Sequence, residues 1–222
     1  MDNSGKWITQ IGKLINFVLD LVFPKFCVKC NREGDWLCNA CKKELKLEVK
    51  HQELESDLDE IYSLLDYNYQ VVQKLIRVFK YNFVVEAAKF FDPLVYEFSL
   101  KYYFKNYVII PVPLFKQRYL SRGFNQSEII AELFVKHLNL KMDKTCLTRI
   151  KFKQAQAKLS KSDRLKNIQD SYVVKNIKYS KVILIDDVYT TGATLNQCAK
   201  VLKSRGVKQV VGIVLARKKH ST

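Results

Sequence analysis

The pattern of apolar and polar residues changes repeatedly between two periods after about residue 60. Apolar residues at helical spacing predict helices at about 69–88, 90–104, 126–138 and 194–205. Unbroken apolar runs predict strands at 107–112, 172–174, 182–185 and 210–215. Because strands that alternate with helices form parallel sheets with right-handed crossovers, the pattern predicts an α/β domain with a mainly parallel sheet flanked by helices.

A different pattern precedes this domain. Apolar residues form one helical stripe over 6–22, at Ile8, Ile11, Ile15, Val18, Leu19 and Val22. Polar residues interrupt the segment too often for a membrane span, and it lacks a cleavage pattern. We expect the helix to pack on the protein body, with adhesion to a membrane or a partner as the alternative. The predicted division is an amphipathic helix (1–23), a cysteine-rich module (24–50) and the α/β domain (51–222), with an acidic connector at about 46–60.

The composition is that of a globular protein with an unusual charge. The chain has 222 residues, of which 48% are hydrophobic, enough for one substantial domain and a small appendage. Its formal net charge of +16 points toward polyanionic partners. Residues 141–181 hold twelve Lys or Arg against three Asp or Glu. Such a segment could hold pyrophosphate, line a nucleic-acid path or form a solvated face.

Four of the six cysteines form two C-x-x-C pairs, Cys27 with Cys30 and Cys38 with Cys41. The pairs can present four thiolates to one tetrahedral Zn²⁺, and because no coordination position is left open, the metal would be structural. The alternatives are two disulfides, which no secretion signal supports, or a redox pair, which needs no duplicate. The short spacer predicts a compact knuckle or ribbon rather than a helix-bearing finger.

The segment 182–194 joins a buried strand, two carboxylates and a hydroxyl-rich turn. Ligands of parallel sheets bind beyond the carboxyl ends of the strands, where Asp186 and Asp187 fall. Carboxylates can accept hydrogen bonds from sugar hydroxyls, and the turn offers hydroxyls, a glycine and a helix start to a phosphate. We therefore predict a site for a phosphorylated sugar, with an ordinary turn that caps a helix as the alternative. The residues of the turn are Thr190, Thr191, Gly192, Ala193 and Thr194.

This segment resembles the loop that binds phosphoribosyl pyrophosphate (PRPP) in the type I phosphoribosyltransferases. The resemblance implies that Asp186 and Asp187 hold the ribose 2′ and 3′ hydroxyls and that the turn cradles the 5′-phosphate. A second segment, which alone would indicate only a loop with surface arginines, resembles the pyrophosphate loop of that family. Guanidinium groups suit this role because they bind phosphate oxygens in bidentate fashion. Its residues are Val112, Pro113, Leu114, Arg118 and Arg122.

A third segment, the basic stretch from Arg149 to Asn167, resembles the mobile loop with which these enzymes close over the substrate and exclude water. Its candidate residues are Gln156, Lys158 and Arg164. The alternative is a solvated linker, which is common for a run of charges. Lys153 and the pair Ser171-Tyr172 depart from the residues usual in the family.

Taken in order, the cysteine pairs, the P-V-P-L segment with R-x-x-x-R-G-F-N-Q, the basic stretch and the acid pair resemble the ComF family. These are competence-associated proteins with a type I phosphoribosyltransferase-like fold, and the resemblance covers about residues 20–217. It implies a bacterial cytoplasmic protein linked to natural transformation, with single-stranded DNA and the competence helicase machinery as partners. It also implies a structural Zn²⁺ and an Mg²⁺ that binds with PRPP.

Two functions are compatible with these residues. An enzyme would transfer the phosphoribosyl group to an acceptor and release pyrophosphate, with Asp186 and Asp187 at the ribose as the catalytic candidates. A non-catalytic protein on the same fold would sense PRPP or a nucleotide, or would bind single-stranded DNA through its basic face. No pattern in the chain identifies the acceptor or the oligomeric state.

Overall fold

The computed structural model describes residues 24–45, 47–81, 84–150 and 172–218. The chain separates into two compact units, one that ends at Leu45 and one that begins at Lys46. The amphipathic helix predicted at 6–22 lies outside the described residues. So do the predicted mobile-loop residues Gln156, Lys158 and Arg164.

Within its described residues, the first unit contains two successive cysteine turns. In the first, the Asn31 N–H donates to the Cys27 carbonyl over 2.9 Å. The second leads into helix α1 (Asn39–Lys43), in which the Lys42 N–H donates to the Cys38 carbonyl over 2.9 Å. The prediction of a knuckle or ribbon rather than a helix-bearing finger was therefore wrong for the five residues Asn39–Lys43. The C-x-x-C spacing of the second pair fits one helical turn, and the residues after Cys38 include good helix formers.

The second unit contains a mixed, mostly parallel sheet. Its order is β1-β2-β8-β7-β3-β4, with β1 antiparallel to β2 and every other neighbouring pair parallel. A separate antiparallel ribbon pairs β5 with β6. The strands are β1 (Lys50–Glu53), β2 (Glu60–Asp66), β3 (Val108–Pro111), β4 (Lys141–Met142), β5 (Leu147–Arg149), β6 (Tyr172–Val174), β7 (Lys181–Tyr189) and β8 (Gln209–Arg217).

Helices flank this sheet, as the sequence predicted. They are α2 (Gln70–Tyr81), α3 (Val84–Lys101), α4 (Lys116–Arg122), α5 (Gln126–Leu138) and α6 (Ala193–Lys203). Helix α5 packs on β3 and β7, and α6 packs on β7 and β8. None of the helices in the described part of the chain has both the length and the apolar character of a membrane span.

The centre of the core is strand β7. Val182, Ile183, Leu184 and Ile185 are each 0% exposed. Burial of one such side chain stabilises the fold by about 1.5–3 kcal/mol relative to its exposed state. The prediction of a strand covered on both faces is therefore confirmed, and this strand fixes the position of the acids that follow.

Three predicted boundaries were wrong. The acidic connector 46–60 contains β1 and the start of β2, because cross-strand pairs support a polar edge strand: Lys50 with Asp66 at 2.8 Å and His51 with Glu60 at 3.0 Å. The helices predicted at 69–88 and 90–104 are instead Gln70–Tyr81 and Val84–Lys101, since helical spacing alone does not reveal where one helix ends and the next begins. Strand β7 continues through the acid pair instead of ending before it.

Candidate functional site

A cavity of about 280 Å³ opens where β3 ends beside β7. Strand β7 pairs with β3 only as far as Ile185, but it pairs with β8 as far as Tyr189. Strand β3 ends at Pro111, and Pro113 has no N–H with which the ladder could continue. The acid pair therefore lies beyond the β3 ladder while β8 still supports its backbone.

Most of the residues predicted to bind PRPP line this one cavity. They are Asp186, Asp187, Thr190 and Thr194, together with Val112, Pro113, Leu114, Arg118 and Arg122. The other members of the turn, Thr191, Gly192 and Ala193, are not among the lining residues. Thr191 is exposed and its hydroxyl accepts from the Ala193 N–H over 3.4 Å. The two segments, far apart in sequence, meet as the resemblance implied.

The arginines of the second segment lie on helix α4, which the sequence did not predict. Arg118 and Arg122 are four residues apart and so lie on one face of that helix, and both line the cavity. Gly123, at φ +77°, ends the helix and donates its N–H to the Tyr119 carbonyl over 2.7 Å. The helix thus presents two guanidinium groups to the same space as the acids.

Each acid is held by a different element. The Asp186 Oδ1 atom accepts from the Ser127 hydroxyl over 3.0 Å and from the Asp187 N–H over 2.9 Å. The Asp187 Oδ2 atom lies 2.9 Å from Lys80 Nζ. Ser127 comes from α5 and Lys80 from α2, so two helices orient a pair that one strand carries.

Burial raises the pKa of Asp186 to about 7, and the neighbouring charge of Asp187 acts in the same direction. The Asp187 N–H, the Ser127 hydroxyl and the Lys80 cation oppose this rise. Asp186 therefore changes protonation state near neutral pH. In its ionised form it is an acceptor only, which suits the hydroxyls of a sugar.

The first turn of α5 joins the parts of the site. Asn125 caps the helix: its Oδ1 atom accepts from the Ser127 N–H over 3.1 Å, and its Nδ2 atom donates to the Val112 carbonyl over 3.1 Å. The Gln126 side chain donates to the Lys80 carbonyl over 3.3 Å. The pyrophosphate-loop segment, α2 and the acid pair are thus all tied to three consecutive residues.

Six lining residues were missing from the predicted site: Tyr67, Lys80, Gln126, Ser127, Arg149 and Val188. The sequence had placed Arg149 only at the start of the basic stretch. Its guanidinium lies 4.2 Å from the centroid of the Phe115 ring and 5.2 Å from that of Tyr172. Its Nε atom is buried without a hydrogen-bond partner. The arginine that opens the basic stretch was the only signal for it, while Lys80 had the spacing of an ordinary surface position on a helix.

Gly192 is required at the start of α6 for two reasons. Its φ is +77°, and a Cβ built there would lie 2.6 Å from Tyr189 Cζ. We expect Gly192→Ala to cost about 1–2 kcal/mol from the left-handed backbone alone, and more from the clash. The turn should shift and PRPP affinity should fall at least tenfold, measured by calorimetry beside a thermal melt.

Gly206→Ala is the matched control for this substitution. Gly206 also has a positive φ, +93°, but a Cβ there would meet nothing within 4 Å. Gly206→Ala should lower the melting temperature through backbone strain and leave the affinity for PRPP unchanged. Equal effects of the two substitutions on affinity would contradict a specific role for the Gly192 turn.

The first unit carries a candidate metal centre. The sulfur atoms of Cys27, Cys30, Cys38 and Cys41 all lie within 4.8 Å of one another. All six cysteines are free thiols, so the cluster contains no disulfide. The Cys38 N–H lies 3.5 Å from Cys27 Sγ, a contact that stabilises a thiolate. Four converging cysteine sulfurs could hold a zinc ion, as the spacing predicted.

Comparison with known proteins supports the predicted phosphoribosyltransferase-like fold. Residues 121–222 match the phosphoribosyl transferase domain. Over 157 residues, the chain is 31% identical to competence protein ComFC of Streptococcus pneumoniae. The aligned region covers 70% of this chain and 67% of that protein. The chain belongs to the ComF family. The predicted family and the predicted type I phosphoribosyltransferase-like fold are thereby confirmed.

Two other relatives match a shorter part of this ComF-family chain. Competence protein F of Haemophilus influenzae is 37% identical over 113 residues, 49% of each chain. DNA utilization protein YhgH of Escherichia coli is 31% identical over 103 residues, 46% of this chain and 45% of that protein. The chain thus spans about half the length of these two relatives.

Proposed function

We propose that this ComF-family chain binds PRPP with Mg²⁺ and transfers its phosphoribosyl group to an acceptor, with release of pyrophosphate. The observation that carries the proposal is one cavity that joins an acid pair, two threonines of a helix-starting turn and two arginines. The names of the relatives, which refer to competence and DNA utilization, support a role in DNA uptake during natural transformation.

The acid pair fits the ribose end of the substrate. Bond breaking at C1′ gives the ribose positive character in the transition state, and two adjacent carboxylates stabilise that positive charge. Through hydrogen bonds from the 2′ and 3′ hydroxyls, Asp186 and Asp187 would also fix the orientation of the ring. The α6 N-terminus and the hydroxyls of Thr190 and Thr194 suit the 5′-phosphate.

The leaving group fits the arginines that line the same cavity. Arg118 and Arg122, with the backbone of Val112 to Leu114, would receive pyrophosphate. Arg149, whose guanidinium contacts the rings of Phe115 and Tyr172, adds a third guanidinium to the lining of the cavity. These three cations balance the charge that develops as the bond to C1′ breaks.

The residues present also fit Mg²⁺. Carboxylate and phosphate oxygens are the ligands that this ion prefers, and Asp186 and Asp187 border a space wide enough for a pyrophosphate group. When bound with PRPP, Mg²⁺ would neutralise charge on the leaving group. The acids would contribute orientation of the ribose whether or not they contact the ion.

A pyrophosphate-release assay tests the transferase function. The full chain, PRPP and Mg²⁺ are incubated with a panel of nucleobases and amines, and pyrophosphate is measured by a coupled enzyme. We expect release that depends on one class of acceptor and that is lost in the Asp186→Asn, Asp187→Asn double variant. Binding of PRPP without release for any acceptor would contradict turnover.

That last outcome would favour the second candidate, a non-catalytic protein that senses PRPP or a nucleotide, or binds single-stranded DNA. The net charge of +16 supports the DNA-binding form of this candidate, because basic surfaces bind the phosphate backbone without sequence preference. The competence helicase machinery would be its functional partner. Both candidates use the same fold and differ in whether the cavity supports chemistry.

A further inference from the structure

In the described part of the chain, one oxygen of each acid is engaged and the other is not. Ser127 and the Asp187 N–H both engage Oδ1 of Asp186, and Lys80 engages Oδ2 of Asp187. Among the residues that the structure describes, nothing donates to Asp186 Oδ2 or Asp187 Oδ1. Both acids line the cavity, and 14% of the Asp187 side chain is exposed.

We propose that Lys80 and Ser127 are positioning residues that hold one oxygen of each carboxylate, so that Asp186 Oδ2 and Asp187 Oδ1 remain to accept the ribose hydroxyls. This inference rests on the proposed binding of PRPP and adds two residues to it. Lys80 and Ser127 act through the acids, and neither needs to touch the substrate.

The geometry explains why both residues occupy fixed places. Ser127 is in the first turn of α5, where its N–H is bonded to the Asn125 cap. Lys80 is in the last turn of α2, where its carbonyl accepts from Gln126. The two positioning side chains therefore start from backbones tied to the same three-residue segment, 125–127. Because Asn125 also donates to the Val112 carbonyl, this segment sets the distance between the acid pair and the pyrophosphate loop.

The charge of Lys80 has a second consequence. It stabilises the ionised acid pair and so opposes the raised pKa of Asp186, as the Ser127 hydroxyl does. The titratable groups that face Asp186 are Asp187 on its own strand, Lys80 from α2, Tyr172 from β6 and Cys198 from α6. Arg118 and Arg122 from α4 and Arg149 from β5 line the same cavity. Of these cations, Lys80 pairs with Asp187 at 2.9 Å and opposes the raised pKa of Asp186, so its removal should shift the titration of Asp186 to higher pH.

Calorimetry on the full chain with Mg²⁺ tests the ligand half of the inference. We expect Lys80→Met and Ser127→Ala each to weaken PRPP binding by about ten- to hundredfold, the usual effect of losing a charge-assisted hydrogen bond. Inorganic pyrophosphate, which is assigned to the 112–122 segment and Arg149, should bind all variants with the same affinity. Lys80→Arg should restore PRPP binding to near the wild-type value, because it keeps the cation.

Lys74→Met is the matched control, since Lys74 is an exposed lysine of the same helix that does not line the cavity. It should leave PRPP affinity unchanged. If wild type binds PRPP and Lys80→Met binds it equally well, the inference is overturned while the proposed function stands. If Lys80→Met loses pyrophosphate and PRPP binding together, the residue is merely structural and the inference is also overturned.

A second measurement needs no ligand. Carboxyl ¹³C resonances of labelled aspartate, assigned with Asp186→Asn, report the titration of Asp186. We expect its midpoint to move to higher pH in Lys80→Met and to return in Lys80→Arg. An unchanged midpoint would overturn the inference. If wild type fails to bind PRPP, the proposed function fails. The statement that the two acid oxygens accept ribose hydroxyls then fails as well, even if Lys80→Met changes the titration of Asp186.

Discussion

Replacement of both Asp186 and Asp187 by asparagine is expected to weaken PRPP binding by at least about 100-fold. Each acid would lose charge-assisted hydrogen bonds to ribose, worth about 1.5–3 kcal/mol, and every 1.4 kcal/mol is about tenfold in affinity. The measurement is calorimetric titration of PRPP with Mg²⁺ into the wild type, both single variants and the double variant. Glu97→Gln, which removes an exposed carboxylate paired with Lys101 at 3.1 Å, is the control and should bind as wild type does.

The raised pKa of Asp186 makes this prediction depend on pH. Because the carboxylate forms as the pH rises through about 7, wild-type affinity should increase over that range, and the deficit of Asp186→Asn should be larger at pH 8 than at pH 5.5. Stability should change in the opposite sense. A folded-state pKa above the ordinary value means that the contribution of Asp186 to stability is lost as the pH rises through about 7.

At pH 8, Asp186→Asn should therefore melt at a higher temperature than wild type while it binds PRPP less well. A variant that loses affinity because it is unfolded would instead have a lower melting temperature than wild type. Wild-type affinity in the double variant would contradict the assignment of the acid pair to ribose.

Loss of a zinc ligand is the second large effect that we expect. Cys41→Ser should abolish stoichiometric zinc and unfold the unit that ends at Leu45, because structural zinc supplies about 10–16 kcal/mol of apparent folding free energy in small modules. Zinc content by mass spectrometry and the near-ultraviolet circular dichroism of Trp36, between the two cysteine pairs, are the readouts.

Cys198→Ala is the control for that variant, since Cys198 is buried in the core of the other unit and is not a member of the four-cysteine cluster. It should keep one zinc ion per chain. The unit that begins at Lys46 has its own core, so its thermal transition should persist in Cys41→Ser. Stoichiometric zinc in Cys41→Ser, or none in wild type, would contradict the metal assignment.

Local patterns in the sequence predicted the parts of the fold that depend on local physics. An apolar run with no alternation has one stable environment, a strand covered on both faces, so β7 was predictable from 182–185 alone. The cysteine cluster was predictable because C-x-x-C spacing sets the geometry of each pair. Both features are complete within about fifteen residues of chain.

Contacts between distant segments were not predictable in this way. Ser127 bonds to a carboxylate 59 positions further along the chain. Lys80 has the spacing of an exposed helix position, and only the tertiary fold brings its Nζ atom within 2.9 Å of Asp187. Strand β1 was missed because its exposed residues carry no alternation, and its support comes from the neighbouring strand. Where tertiary pairing decides, a single sequence carries little local signal.

The most direct test of the central claim is a calorimetric titration of PRPP, with Mg²⁺, into the zinc-loaded full-length chain. We predict saturable binding of one PRPP per chain, lost in the Asp186→Asn, Asp187→Asn variant and kept in Glu97→Gln. A folded wild-type protein that shows no saturable binding up to about 1 mM PRPP, the upper end of usual KM values, would contradict the central claim.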